Sequence, residues 1–240
     1  MDVVWICRTG PNEELRYSIR SVEANMPHEN IVVVGGKPDW YTGKFIEVNT
    51  FTAGGQPSRN KYENAKNNIR QVVDNDSISK DFVLMNDDFY VMKPVDQLQY
   101  YHGGLLSDKI RTHQTFAPGA EYTGVLTRTA QVLDAMGIKD PLDYALHIPM
   151  MFNRQKLSEV LKQPIASIRT LYGNMYGVGG CKMGDVKVHP KRNQHAPEPF
   201  DYKNEDSVFL STADSTFSAV KRNLLDLVFT RPSKYEKSSH

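Results

Sequence analysis

Phe82-Val83-Leu84-Met85-Asn86-Asp87-Asp88 is an unbroken apolar run that ends in two adjacent carboxylates. A run without polar alternation reads as a strand covered on both faces, as in a parallel sheet flanked by helices. Two earlier stretches read the same way. They are Asp2-Val3-Val4-Trp5-Ile6-Cys7 and Ile31-Val32-Val33-Val34, the second closed by Gly35-Gly36. Between them Leu15, Ile19 and Val22 recur at i, i+4 and i+7, one face of a helix, with Asn12 as its N-cap and Pro27 at its end. Residues 60–73 supply a second helix, after the turn Ala53-Gly54-Gly55-Gln56-Pro57 and before the third strand. Strands alternating with helices predict an α/β fold with a mostly parallel sheet.

After Pro94 the pattern changes. Residues 129–136 and 154–162 predict short amphipathic helices. Residues 214–229 predict a last helix capped by Asp214 or Ser215. Within 103–127 the segments 109–116 and 121–128 read as a hairpin. Residues 173–205 read as long loops, and the Met and aromatic residues of 149–152 as core. No repeat, low-complexity tract or linker interrupts the chain. The expectation is one domain over 1–240, with a ligand-binding half to about residue 95 and an elaborated C-terminal half from 96.

The 240 residues are 40% hydrophobic and 24% charged, a globular composition. No stretch approaches the roughly 18 apolar residues of a membrane span. Lys and Arg number 29 against 28 Asp and Glu, a net charge of +1. That excludes a whole-molecule electrostatic grip on nucleic acid and leaves room only for a local patch. Two distant cysteines, Cys7 and Cys181, exclude a disulfide framework or a zinc-finger spacing. The N-terminus lacks the basic n-region of a signal peptide, so the expectation is a cytoplasmic protein.

Asp87 and Asp88 fall where open α/β sheets bind ligands, at the carboxyl ends of the strands. Two carboxylates and two phosphates can share one Mg²⁺ or Mn²⁺; the bland alternative is a turn begun by Asp. Arg59, Asn60 and Lys61 start a helix, where free N–H groups favour phosphate, or else form a solvated first turn. His147, in Ala145-Leu146-His147-Ile148-Pro149, is either a core histidine or a general base, since imidazole titrates near 6.5 in water. Arg16 and Arg20 lie one helical turn apart and are either substrate contacts or surface ion pairs. The basic stretch 187–195 is either a contact for a phosphate-bearing acceptor or a solvated loop.

In their order these pieces resemble the Stealth family of sugar-phosphate transferases. Asp2-Val3-Val4-Trp5 resembles the family's opening Asp-Val-Val-Tyr. Residues 12–23, Asn-Glu-Glu-Leu-Arg-Tyr-Ser-Ile-Arg-Ser-Val-Glu, are similar to its second-region signature. Ile31 to Gly36 with Pro38-Asp39-Trp40 resembles the strand and Pro-x-Trp that follow. Arg59-Asn60-Lys61 with Glu63 stands in the place of a Phe-Asn-Ser-x-Ala-Ile-Glu segment. Asn86-Asp87-Asp88-Phe89, His147-Ile148-Pro149 and Phe229-Thr230-Arg231-Pro232-Ser233-Lys234-Tyr235-Glu236 are similar to later motifs.

The resemblance implies a Rossmann-like, glycosyltransferase-A-like core that uses a nucleotide sugar as donor, a divalent metal (Mg or Mn), and a glycan or other hydroxyl acceptor. It implies Asp87 and Asp88 at the metal or donor, His147 as general base, and Arg16, Arg20, Asn60 and Lys61 at the donor. Asp2 and Arg169 complete the candidate set. Ile6-Cys7-Arg8-Thr9 replaces the family's Thr-Trp-Val-Asp/Asn, which leaves both phosphodiester and glycosidic products open. Two other classes remain. One is a DNA-modifying glycosyltransferase that grips DNA through 187–195 and acts on a base out of the stack. The other is a non-catalytic carbohydrate- or nucleotide-binding module.

Overall fold

A computed structural model describes residues 1–48, 57–164, 166–190 and 207–237, with side chains from Lys61 onward in the second span. The central sheet has five strands: β1 (Asp2–Cys7), β2 (Ile31–Gly35), β3 (Lys44–Glu47), β4 (Asp81–Asn86) and β7 (Met150–Asn153). Their order is β3-β2-β1-β4-β7, parallel except for the antiparallel edge strand β7. The fold is therefore α/β with a mostly parallel sheet, as the apolar runs predict, and its strand order is Rossmann-like.

Alternation along the strands sends side chains to two cores. Val4, Val32, Val34, Phe82 and Leu84 meet Ile69 and Val72 of α2 (Pro57–Val73), together with residues of α4 (Glu121–Ala135), α5 (Arg154–Leu161) and α6 (Ile168–Met175). Val3, Trp5, Val33, Val83 and Met85 meet Leu15, Ile19 and Val22 of α1 (Glu13–Asn25). Helices α1 and α2 thus cover opposite faces. The strand order reverses between β1 and β4, which opens a crevice at their carboxyl ends.

The hairpin expected over 109–116 and 121–128 is instead two helices, α3 (Leu106–Phe116) and α4, packed on one another. The β-branched residues there suit strands locally. Burial of Val125, Leu126, Thr129 and Leu133 at helical spacing decides otherwise. The loops expected over 173–205 contain β8 (Cys181–Lys182), paired with β6 (Tyr101–His102), and β9 (Lys187–Val188). Strand β9 joins β5 (Phe89–Val91) and β10 (Phe209–Thr212) in a three-stranded sheet. The last helix begins one residue after Ala213, as α7 (Asp214–Val220). It continues through a π-helical turn, Lys221–Leu225, into α8 (Asp226–Val228). Of the two expected caps, neither Asp214 nor Ser215 is used; Thr216 Oγ1 accepts the Ala213 N–H at 3.0 Å.

The closing segment returns to α1. Arg20 holds Glu236 through two bonds of 2.6 and 2.7 Å and donates to the Phe229 carbonyl at 3.1 Å. The Thr42 N–H donates to Tyr235 O and the Lys237 N–H to Trp40 O, each at 2.8 Å. Among the described residues no helix is long and apolar enough to cross a membrane.

Candidate functional site

The crevice is built on the turn that follows each central strand. After β1, Asn12 adopts a left-handed backbone with φ of 45°, a conformation Asn tolerates better than most residues. Its Oδ1 caps α1 by accepting the Leu15 N–H at 3.1 Å. Its Nδ2 donates to Asp87 Oδ2 at 2.8 Å and to Cys7 Sγ at 2.9 Å. Asp87 therefore turns towards α1, and burial, with the neighbouring Asp88 charge, raises its carboxyl against the pull of Asn12 and Arg8. Buried Glu14 stands close by, its Oε1 accepting from Thr212 Oγ1 at 3.2 Å and its Oε2 3.5 Å from Arg8. Burial first, and then the charges of Asp87, Asp88 and Asp214, push Glu14 up to about 7.

Asp88, close enough to Asp87 and Glu14 to act on both by charge, has its own partners. Its Oδ2 accepts from Lys187 Nζ at 2.9 Å and from Ser211 Oγ at 3.2 Å. Lys187 also lines a cavity of about 520 Å³ on the α2 face of the sheet. Leu84, Ile69, Val125, Val160 and Leu171 contribute its apolar part, and Asn86, Phe89, His147, Arg169 and Asp185 its edge towards the strands. The size and the mix of apolar floor and convergent polar groups are those of a small-molecule site.

His147 Nδ1 lies 2.9 Å from both carboxylate oxygens of Asp185, whose Oδ1 also accepts the His147 N–H at 3.4 Å. Burial alone would raise Asp185; the hydrogen bond and charge of His147, with Lys109, bring it down to about 2. A carboxylate on Nδ1 fixes the tautomer and leaves Nε2 as the proton acceptor. The ring stands edge-on to Phe89, 6.0 Å between centroids. Arg169 lies over the Phe89 ring, its guanidinium carbon 5.1 Å from the ring centre. Arg169 donates to the carbonyls of Ile148 at 2.6 Å and Leu84 at 3.4 Å, tying the His147 loop to the end of β4. Burial lowers its guanidinium to about 10, opposed by Asp88, so it stays cationic at neutral pH.

The structure thus brings His147, Arg169 and Lys61 to one cavity, with Asp88 joined to it through Lys187. Other candidates fall elsewhere. Asp2 sits at the amino end of β1, the far edge of the sheet. There its carboxylate accepts from Asn30 Nδ2 at 2.8 Å and from the Ser79 N–H at 2.9 Å, a buried structural role. Arg16 and Arg20 belong to α1, on the face opposite Lys61 of α2, so the two helices do not present their cations together. Arg20 is committed to Glu236. Arg16 pairs with Glu13 at 3.1 Å and Glu236 at 3.5 Å and lies over Trp40. The side chain of Asn60 and residues 191–195 of the basic stretch lie outside what is described. Asp185, Lys109, His113 and Glu14 are members of the crevice that the sequence did not single out. The only signal for Asp185 was a lone acid between Lys182 and Lys187.

Asp87 and Asp88 supply two carboxylates, the number Mg²⁺ takes from protein when substrate phosphates and waters complete its shell. Among the described residues no three His, Cys, Asp or Glu side chains are grouped as ligands. The donor set fits a cation that arrives with phosphates rather than one caged by the protein alone.

No protein-family model matches the chain, and no curated protein matches it either. One solved structure it resembles is a 4-diphosphocytidyl-2C-methyl-D-erythritol synthase. The two share 12% identity over 77% of this chain and 88% of that one, with a TM-score of 0.34. That likeness is too remote to bear on activity.

Proposed function

We propose that the protein is a transferase that moves a sugar or sugar-1-phosphate from a nucleotide-diphosphate sugar to an acceptor hydroxyl. The observation that carries this reading is the His147–Asp185 pair on a cationic cavity at the carboxyl edge of the sheet, beside Asp88. The acceptor O–H gives its proton to His147 Nε2 while Asp185 stabilises the imidazolium that forms. The acceptor oxygen then bonds either to the sugar-side phosphorus, expelling nucleoside monophosphate, or to the anomeric carbon, expelling nucleoside diphosphate. In both cases negative charge grows on the leaving phosphates. Lys187 and Arg169 are the fixed cations that meet it. A divalent cation brought by the donor would be held by Asp87 and Asp88 and would add charge neutralisation there. Lys61 lines the same cavity from α2. The test is incubation with a panel of nucleotide sugars and identification of the nucleotide released. Monophosphate marks sugar-phosphate transfer and diphosphate marks glycosyl transfer. Absence of turnover with every donor overturns the reading.

A further inference from the structure

The cavity holds more positive charge than the transfer chemistry uses. Lys61, Lys66, Lys109, Arg169 and Lys187 line it, against one carboxylate, Asp185, which is already bonded to His147. Three of these cations have partners. Arg169 donates to backbone carbonyls, Lys66 donates to Gln163 O at 2.8 Å, and Lys187 holds Asp88. Among the described residues the ammonium groups of Lys61 and Lys109 have neither an ion pair nor a hydrogen bond. Lys109 and His113 stand one turn apart on α3, so both reach the cavity from the same helix face. The field registers on the neighbouring histidines. His113 is pushed down by burial and then by Lys109. His189 is pushed down by burial and then by Lys187 and His147.

The ammonium groups of Lys61 and Lys109 are thus open to a ligand of opposite charge. Two compact ammonium groups and an imidazole, each with its own donors, suit a tetrahedral, multiply charged anion. A lone carboxylate is served by one bidentate arginine. These groups come from α2 and α3, whereas Lys187 and Arg169 stand beside Asp88 at the strand edge.

We infer that the acceptor itself carries a phosphate, seated between Lys61, Lys109 and His113, while its hydroxyl meets His147. This deepens the transferase reading and rests on it. The apolar floor of Ile69, Val125 and Leu171 then faces the carbon skeleton between the two groups.

The test titrates the full chain calorimetrically with inorganic phosphate, and separately with acetate, at constant ionic strength. Phosphate is expected to bind the wild type and to bind a Lys61→Ala/Lys109→Ala double variant at least tenfold more weakly. Lys139→Ala, which removes a surface lysine paired with Asp134, should leave phosphate binding unchanged. The ring signals of His113 and His189 should shift as phosphate is added. Saturating nucleoside diphosphate should not displace it. Equal phosphate affinity in the double variant, or acetate binding as tightly as phosphate, overturns the inference. Displacement by nucleoside diphosphate also overturns it, by assigning the same cations to the donor. If phosphate behaves as expected but no nucleotide sugar is turned over, the anion seat stands and its role in acceptor binding falls with the transferase reading.

Discussion

Asp185→Asn removes one charge and almost no volume, and it separates the stability of the crevice from its chemistry. The wild-type carboxylate lies 2.9 Å from His147 Nδ1 and titrates at about 2, against an ordinary 3.8. A depression of nearly two units corresponds to about 2 kcal/mol. With 27% of the side chain exposed, solvent screening trims this to about 1–2 kcal/mol. Because the folded value is the lower one, this stability is lost as pH falls from 4 towards 2, and its charge share is present only while His147 is protonated. Urea denaturation should therefore find Asp185→Asn about 1–2 kcal/mol less stable at pH 5, with the gap closing in stronger acid. An amide at this place can hold the wrong tautomer of His147 and cannot stabilise its imidazolium. Donor turnover should fall by about 10²–10⁴, the range of a positioned acid–base group, while donor binding persists. A variant that turns over donor at the wild-type rate would refute the role of the pair. One that loses donor binding in proportion to stability would reduce Asp185 to a packing residue.

Glu236→Gln breaks the pair with Arg20, in which the side chains are 4% and 12% exposed. Unfolding measurements should show a loss of about 3 kcal/mol with donor affinity unchanged; a selective loss of affinity would return Arg20 to the donor site. Glu14 is raised to about 7, so its burial favours the protonated form and penalises the folded state as pH climbs from 4.5 through 7. Glu14→Gln should be more stable than wild type at pH 8 and no more stable at pH 4, by denaturation at the two pH values. Gly173→Ala would drive a methyl into the Tyr144 ring, three residues before His147. Overpacking should cost about 1–3 kcal/mol and lower turnover more than a surface Gly→Ala change does.

The sheet was legible because β1, β2 and β4 are buried on both faces and so carry continuous apolar runs. The α1 face and its Asn12 cap were legible for the same local reasons. Strand β3, Lys-Phe-Ile-Glu, is short and half-exposed at an edge, and β7 follows Pro149 without alternation. Neither has a pattern strong enough to read. Helices α3 and α4 were misread because Ile110, Thr112, Val125 and Thr127 favour strands locally, while mutual packing makes them helical. The site divided in the same way. His147 and the Asp87-Asp88 pair stand out by type and neighbours. Asp185 acquires meaning only when the chain folds it against His147, 38 residues away. Lys61, Lys109 and His113 share a cavity only because the fold brings α2 and α3 to it. Arg16 and Arg20 misled for the opposite reason. Their helical spacing was right, but the closing segment, more than 200 residues on, claims them.

The central claim is that His147 takes the acceptor's proton at a site whose donor binding does not depend on it. Single-turnover transfer from a saturating nucleotide sugar, measured for wild type and His147→Ala at equal donor occupancy, tests it most directly. The account predicts the same donor dissociation constant and a transfer rate lower by about 10²–10⁴. Transfer at the wild-type rate by a folded His147→Ala chain would contradict it.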